Sequence, residues 1–178
     1  VLAKKDPKAV SYGSFGIGSP SHLIGESINR QAGISMTHIP YNAGNSSTDL
    51  MGGQLTLAIL DALSQTPQVK AGKLRALALN GTQRLPALPD VPTLGEVGLP
   101  FELVGWHAMF APAGTPKDIL ARLTAETVNA MNHPDMKTFA QGVGTEAVGS
   151  TPEQLAAVHK REFDKWGAVV KAIGVTLE

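Results

Sequence analysis

The first half of the chain alternates short apolar runs with stretches of helical periodicity. The apolar runs, each rich in β-branched or aliphatic residues, occupy residues 9–12, 34–41, 55–60 and 74–79. Their length predicts four strands. Residues 20–31 carry apolar side chains at helical spacing, and shorter helices are predicted over 46–53 and 64–71. This alternation predicts an α/β fold with a mostly parallel sheet.

The second half has a different pattern, and we place the change at about Gly105. Strands are predicted over 101–111 and, as a short edge strand, over 146–148. The remaining pattern is helical, with predicted helices over 117–132, 135–141 and 151–173. We predict helix N-caps at Thr115 and Thr151, because each is a threonine followed by proline. The three prolines within 85–93 predict an ordered, strand-free connection.

Composition removes several classes of protein. The 178 residues suit one domain or two small lobes, and the 15 basic and 15 acidic residues give no net charge, so we expect no nucleic-acid partner. No apolar run approaches the roughly 18 residues that a membrane span requires, and we expect no direct membrane insertion. The first residues do not resemble a signal peptide. Cysteine is absent, which excludes disulfides and thiolate chemistry.

The stretch SYGSFGIGSPSH at residues 11–22 has the features of an anion site. A strand leads into a turn with three glycines, and a serine and a proline then begin a helix. The first N–H groups of a helix have no intrahelical partners and carry partial positive charge, which favours a carboxylate or phosphate. The spacing matches neither the dinucleotide fingerprint nor a P-loop. The alternative is an ordinary strand-to-helix turn.

Polar groups follow three successive strands, at residues 14–22, 41–46 and 61–64. Ligands of open α/β sheets bind beyond the carboxyl ends of the strands, so we expect these three junctions to lie together. The first two offer glycines, hydroxyls and helix N-termini suited to a carboxylate. Asp61 would accept from an ammonium or hydroxyl group, and its alternative role is that of a helix N-cap.

The sequence offers little support for catalysis. The five histidines lack metal-binding spacing, no G-x-S-x-G motif is present, and no pair of carboxylates flanks a site. We therefore expect neither an enzyme nor a cofactor. His38, in the middle of a strand, is expected to be a hydrogen-bonded structural residue. A hydrolytic enzyme that uses the Ser14–His22 loop remains the less favoured alternative.

Motifs along almost the whole chain resemble one family in its own order. They are SYGSFGIGSPSH at 11–22, HIPY at 38–41, DLMGGQ at 49–54, KAGKLRALA at 70–78, RLPALPDVPT at 84–93, FAPAGTP at 110–116, GSTPE at 149–153 and KWG at 165–167. The chain resembles the periplasmic substrate-binding receptors of tripartite tricarboxylate transporters, also called Bug receptors.

The resemblance implies a two-lobed, type II periplasmic-binding-protein-like fold that closes on a small carboxylate without catalysis. It implies a periplasmic receptor that delivers its ligand to the membrane components of a transporter. It also implies that the first lobe is incomplete in this chain. Residues 1–105 would form the second α/β lobe, and residues 106–178 the returning, mostly helical part of the first.

The residues expected to bind ligand come from the first three strand ends. They are Ser14, Phe15, Gly16, Gly18, Ser19, His22, Tyr41, Ala43, Gly44 and Asp61. Two departures from the family pattern leave the ligand open among di- and tricarboxylates, amino acids and aromatic acids. The turn after the second strand reads NAGNS at 42–46, where Lys-Gly-Ser-type sequences are commoner, and Leu60 replaces an aromatic residue before Asp61.

An incomplete first lobe would leave apolar helix faces exposed. The helices over 117–132 and 151–173 each carry an apolar stripe. We therefore expect the chain to associate with itself through residues 101–178, with the 9–80 lobe standing apart. A fragment that binds no ligand at all is the corresponding alternative function.

Overall fold

The computed structural model describes residues 2–6, 9–41, 46–99, 105–142 and 145–174. Three strands occur in chain order, namely β1 Ser11–Ser14, β2 Thr37–Pro40 and β3 Leu57–Ala58. The helices are α1 Leu2–Lys5, α2 Pro20–Ala32, α3 Ser46–Met51, α4 Ala62–Lys70, α5 Lys117–Asn132, α6 Pro134–Gly142 and α7 Pro152–Ile173.

The sheet is parallel, and β1 lies at its centre in the order β2-β1-β3. Ser11 is in register with Thr37, and Tyr12 is in register with both His38 and Leu57. A central strand that is covered on both faces needs apolar or small residues. Tyr12 is accordingly fully buried, and Val10 and Met36 pack with it in one core cluster.

Helix α2 has a start and an end that are readable in the sequence. The Ser19 hydroxyl accepts the His22 N–H at 3.3 Å, and Pro20 occupies the first turn, where its missing N–H costs nothing. Gly33 ends the helix with a φ of 60°, a left-handed conformation that suits glycine. The helix buries Ile24 against Leu94, which lies just beyond the proline-rich connection.

The proline-rich connection is ordered, as predicted. Leu88 and Leu94 are buried, and the Arg84 guanidinium donates to the Glu96 carboxylate from Nε to both oxygens at 3.0 Å. Glu96 also accepts the Thr93 N–H at 2.7 Å. These hydrogen bonds tie the two ends of the segment together, and Leu94 joins it to α2 through Ile24.

The second half consists of helices with few buried side chains. Among the described residues from 105 onward, Ala140 and Glu162 alone are buried. Helix α7 nevertheless reaches the first half, because Trp166 and Val169 pack on the Ile24–Leu94 cluster and Arg30 donates to the Ala172 carbonyl at 2.6 Å. The expectation that the 9–80 lobe stands apart is therefore wrong at the α2–α7 contact.

Three predicted strands are not formed in the described residues. Residues 74–79 alternate in burial, but they make a single bridge in which Leu79 pairs with Thr93. The ladder cannot extend through Pro92, which has no N–H to donate. Residues 105–111 and 146–148 are exposed or half-buried and pair with no strand there, and the 101–104 part of the first lies outside the described residues. A strand needs a hydrogen-bonded neighbour.

A smaller correction concerns the start of α5. The N-cap position is Pro116, not Thr115, and it makes no side-chain cap hydrogen bond. Thr115 instead donates its hydroxyl to the Pro112 carbonyl at 2.8 Å. Thr151 caps α7 as predicted, in a reciprocal capping box with Gln154.

Candidate functional site

The parallel sheet brings the first two strand ends together at one edge. The Tyr41 N–H donates to the Ser14 carbonyl at 3.1 Å, so the turn after β2 lies beside the turn after β1. On the other side, the Ile59 N–H donates to the Gly13 carbonyl at 3.0 Å. The β1 junction is therefore central, at the position where open α/β sheets bind their ligands.

The loop between β1 and α2 is shaped by two glycines. Gly16 and Gly18 have φ values of 120° and 75°, in the region that L side chains rarely adopt. The tight turn lets the Gly16 carbonyl accept both the Ser19 N–H at 3.2 Å and the Ser19 hydroxyl at 2.7 Å. We call residues 14–22, from Ser14 to His22, the glycine loop.

Most polar groups of the glycine loop bond within it. The Phe15 N–H donates to the Ser21 hydroxyl at 3.0 Å, and the Gly16 N–H donates to the Ser14 hydroxyl at 3.1 Å. Among the hydrogen bonds of the described residues, none has the N–H of Ile17 or Ser21 as its donor. One backbone donor in the loop and one in the first turn of α2 thus remain without an acceptor among the described residues.

Two histidines stabilise the glycine loop, His22 at its last position and His38 on β2. The His22 and His38 rings stack with centroids 3.9 Å apart and an interplanar angle of 13°. His22 Nδ1 accepts the Gly18 N–H at 3.0 Å, and His38 Nε2 is 2.7 Å from the Ser14 hydroxyl. His38 is thus hydrogen-bonded, as the sequence predicted. Burial lowers the pKa of both histidines, and the neighbouring His22 lowers that of His38 further.

Tyr12 and Glu26 complete this polar group. The Tyr12 hydroxyl donates to Glu26 Oε1 at 2.7 Å, and the Tyr12 and His38 ring centroids are 5.0 Å apart. Burial, and then the hydrogen bond to Glu26, raise the pKa of Tyr12, which keeps its hydroxyl protonated and donating. The loop therefore rests on a hydrogen-bonded support instead of on apolar side chains.

The chain matches a family model over residues 1–175, described as the tripartite tricarboxylate transporter family receptor. The chain belongs to this family. A protein from the tcbD-tcbE intergenic region of Pseudomonas sp. strain P51 is 34% identical over 94% of the chain, and Bordetella pertussis BugT is 30% identical over 98%. The chain spans 51% and 54% of these two relatives, about half their length.

Solved structures agree with the family assignment. A periplasmic transporter protein is 36% identical with a TM-score of 0.92. The match covers 99% of this chain and 60% of that one. R. palustris Rpa4515, solved with adipate, is 28% identical with a TM-score of 0.90, over 98% of this chain and 59% of that one. MatC from Rhodopseudomonas palustris, with bound malate, is 30% identical with a TM-score of 0.77, over 95% and 59%. The predicted α/β, periplasmic-binding-protein-like fold is confirmed.

Six of the ten predicted site residues lie in the glycine loop of this family member. They are Ser14, Phe15, Gly16, Gly18, Ser19 and His22. Tyr41 is adjacent, because its ring lies 3.3 Å from the position that a Cβ on Gly13 would take. The Tyr41 hydroxyl donates to Asp49 at 2.8 Å. Ala43 and Gly44 lie outside the described residues.

Asp61 is the N-cap of α4, which was the alternative to a role in ligand binding. Its Oδ1 accepts the Ser64 N–H at 2.8 Å, and its Oδ2 accepts the Ser64 hydroxyl at 2.7 Å, at the start of α4. The side chain is exposed, so the cap does not prevent a ligand from approaching it. A role in ligand selection stays a prediction.

Two serines at the site were not among the predicted site residues. Ser21 links Phe15 to Ser19 within the glycine loop, since its hydroxyl also lies 3.0 Å from that of Ser19. Ser46 is fully buried, its hydroxyl has no hydrogen-bond partner among the described residues, and its Cβ is 3.2 Å from a Cβ built on Gly13. The signal for Ser21 was its helix-start position, whereas the burial of Ser46 follows from packing alone.

The described part of the chain contains no cluster of three or more histidine, aspartate or glutamate side chains able to hold a metal. No helix within those residues is both long enough and apolar enough to cross a membrane. What the site offers instead is a set of neutral hydrogen-bond donors at a helix N-terminus.

Proposed function

We propose that the protein is an extracytoplasmic solute receptor that binds a small carboxylate at the glycine loop and delivers it to the membrane components of a tripartite tricarboxylate transporter. The observation that carries the proposal is a pair of N–H groups with no acceptor among the described residues, that of Ile17 in the glycine loop and that of Ser21 in the first turn of α2. Helix N-termini bind anions through such groups. Adipate and malate in the related structures support a carboxylate.

We propose that this protein is located in the periplasm. Related solved structures are described as periplasmic proteins. The chain spans about half of its curated relatives, so the activity of the whole protein belongs to this proposal. Ligand identity within di- and tricarboxylates, amino acids and aromatic acids is the part that binding measurements must decide.

Ser19 provides the first test. Its hydroxyl shapes the glycine loop through Gly16 and caps α2 through His22, so Ser19→Ala should weaken binding of adipate or malate about tenfold. Thr151→Ala is the matched control, because it also removes a hydroxyl N-cap before a proline but lies on α7. Calorimetry on the natural chain that contains this sequence should show normal binding for the control. Equal affinities for wild type and Ser19→Ala would remove the loop from the site.

Asp61 provides the test of selectivity. Asparagine is as good an N-cap as aspartate, so Asp61→Asn keeps an oxygen for the Ser64 N–H and removes the charge together with the acceptor of the Ser64 hydroxyl. If Asp61 faces the ligand, the variant should weaken amino acids and hydroxy acids several-fold while plain dicarboxylates bind as before. If each of these ligands bound wild type and the variant with the same affinity, Asp61 would be left with its capping role alone.

A hydrolytic enzyme is the competing function, and the Ser14–His38 pair is the feature that would serve it. A hydroxyl 2.7 Å from an imidazole nitrogen has the spacing of a nucleophile and its base. Ser14 is fully buried, however, and its oxygen already accepts the Gly16 N–H. A substrate carbonyl cannot reach it in this arrangement. Incubation with bound carboxylates or their esters should leave them unchanged by NMR.

We also propose that the chain associates with a second copy of itself through an aromatic patch of Trp106, Phe110, His159 and Phe163. The three other rings each lie with their centroid 6.2–6.5 Å from that of His159, so they form one continuous surface. Phe110 is 69% exposed and Phe163 is 70% exposed. Exposed apolar patches of this kind mark association surfaces, and like patches pair in two-fold dimers.

Light scattering tests the association at micromolar concentration. Wild type should be at least a dimer, and Phe163→Glu should be a monomer because it places a charge in the patch. Leu77→Glu is the control, since Leu77 is 57% exposed in the first half of the chain. A monomeric wild type would contradict the association and leave the receptor function standing. Saturable carboxylate binding would exclude the alternative of a non-binding fragment.

A further inference from the structure

One histidine contact holds the middle of the glycine loop in place. The Gly18 N–H donates inward to His22 Nδ1 at 3.0 Å, and His22 is buried. The same loop leaves the Ile17 N–H, one residue earlier, without an acceptor among the described residues. The hydrogen bond from the Gly18 N–H to His22 therefore fixes the peptide group between Ile17 and Gly18. This peptide group cannot rotate without breaking the bond.

This contact requires one protonation state. An imidazole nitrogen accepts a hydrogen bond only when it carries no proton, so Nδ1 of His22 must be unprotonated and any proton must reside on Nε2. A protonated His22 would have two N–H donors, and the Gly18 N–H would face one of them. The contact is then lost, and two donors repel each other.

The groups that face His22 act in opposite directions on its charge. His38 from β2 stacks on the ring at 3.9 Å, and two imidazolium ions at that distance would repel. Glu26 on α2, which the Tyr12 hydroxyl of β1 contacts, attracts a proton to His22. Burial lowers the pKa of His22 and outweighs Glu26, so the neutral ring is the form that supports the loop near neutral pH.

We propose that His22 is a positioning residue of the carboxylate-binding loop, and that protonation of the stacked His22–His38 pair releases the ligand. The proposal rests on the proposed receptor function. It adds to that function a control of affinity by pH at the same site. It requires no contact between His22 and the ligand.

The direction of the pH effect follows from the contact. Neutral His22 accepts the Gly18 N–H, so affinity is highest at a pH above the pKa of the pair and falls as acidification adds a proton. We expect a loss of about tenfold, the equivalent of one hydrogen bond of ordinary strength. If the imidazolium instead paired directly with the ligand carboxylate, affinity would rise on acidification, and that result would overturn the proposal.

Calorimetry with adipate and malate from about pH 8 to about pH 5.5, within the range in which histidines titrate, tests this on the natural chain that contains the sequence. The carboxyl groups of the ligands begin to take up protons at the acid end of this range, so the histidine effect is read as the ratio of wild-type to His22→Asn affinity at each pH. His22→Asn places an amide oxygen near the position of Nδ1 and cannot be protonated. Whatever its affinity at pH 8, the variant should not show the additional loss on acidification that wild type shows. His22→Ala should bind about tenfold more weakly throughout. His107→Asn, at an exposed histidine, should behave as wild type does.

The outcomes separate the two proposals. Wild type that binds with an affinity independent of pH, or a His22→Asn variant that keeps the pH dependence, would overturn the histidine proposal and leave the receptor function intact. Wild type that binds no carboxylate at any pH would overturn the receptor function and ligand release with it. The loop contact itself can then be read by NMR, because the Gly18 amide signal should move as His22 titrates, and a signal that does not move would overturn the positioning role as well.

Glu26 gives an independent check on the same pair. Glu26→Gln keeps an oxygen that can accept from Tyr12 but removes the charge that favours a proton on His22. The midpoint of the affinity loss should therefore shift to lower pH, with affinity at pH 8 unchanged. A midpoint that stays in place would show that another group controls the loss and would contradict the proposal.

Discussion

Helices α2 and α7 begin and end alike but have opposite surroundings. Each starts with a hydroxyl N-cap followed by proline, and each ends at a glycine with positive φ. Yet α2 buries seven residues within 13, whereas α7 buries Glu162 alone among its 22. Local signals therefore decide where a helix forms, and its burial depends on what the rest of the chain places against it.

The same contrast separates the two halves of the chain. In the first half, a sheet and an ordered proline-rich connection pack around α2. His22 and His38 hold the glycine loop through hydrogen bonds. In the helices of the second half, Phe139 and Phe163 are exposed, and Trp166 packs on the first half. Substitutions of one type should therefore differ in effect between the halves, and matched pairs of variants measure that difference.

Aromatic truncation should give the largest difference. Tyr12 is fully buried at the centre of the sheet, so Tyr12→Ala should reduce the free energy of unfolding by about 3–5 kcal/mol. Phe163 is 70% exposed, and Phe163→Ala should change it by less than about 0.5 kcal/mol in the monomer. Urea unfolding at low protein concentration measures both. Similar losses for the two variants would contradict the contrast.

Two helical glycines make a finer comparison. A Cβ on Gly25 of α2 would overlap the Tyr12 ring, so Gly25→Ala should cost about 1–3 kcal/mol or more through overpacking. A Cβ on Gly167 of α7 would meet nothing within 4 Å. Gly167→Ala should therefore stabilise the helix by about 0.5–1 kcal/mol. Thermal unfolding should move in opposite directions, and a stable Gly25→Ala variant would show that Tyr12 can shift.

An ion pair gives the smallest effect, confined to acid. The Arg84 guanidinium and the Thr93 N–H lower the pKa of Glu96 from 4.5 to about 2. Because this pKa is lowered in the folded state, its contribution is complete above about pH 4.5 and is lost as the pH falls toward 2. Between these values the melting temperature of wild type should fall more steeply than that of Glu96→Gln. Asp164→Asn, which removes the exposed pair with Lys160 on α7, should leave the wild-type slope unchanged.

The fold was predictable where a residue's role is local. Helix α2 begins at Ser19 and ends at Gly33, and helix α7 begins at Thr151 and ends at Gly174. These residues act through their own side chains or backbone freedom. Predicted strands survived where a neighbour pairs with them, as Ser11–Ser14 does on both sides. The run at 74–79 has the alternation of a strand but lacks a partner able to donate beyond Pro92. The pattern within residues 74–79 does not show which segment will lie beside them.

The candidate site divides in the same way. The Gly-Ser pattern of residues 14–19 predicted a loop with donors at a helix start, because glycines and an N-cap hydroxyl act within a few residues. The sequence could not show which N–H groups the loop itself consumes. Gly18, which was expected to donate to a ligand, donates to His22 in the structure, and Ile17 and Ser21 hold the uncommitted donors.

The sequence by itself determined the ends of α2 and α7, the glycine loop and, through its motifs, the receptor family. These depend on interactions between residues close in the chain or on patterns long enough to be specific. The tertiary structure alone decided that His38 stacks on His22 from 16 positions away, that Ser46 is buried beside Gly13, and that α7 returns to α2 through Trp166. Parallel pairing and helix packing set those contacts, because each depends on the register and position of a second element that no local pattern specifies.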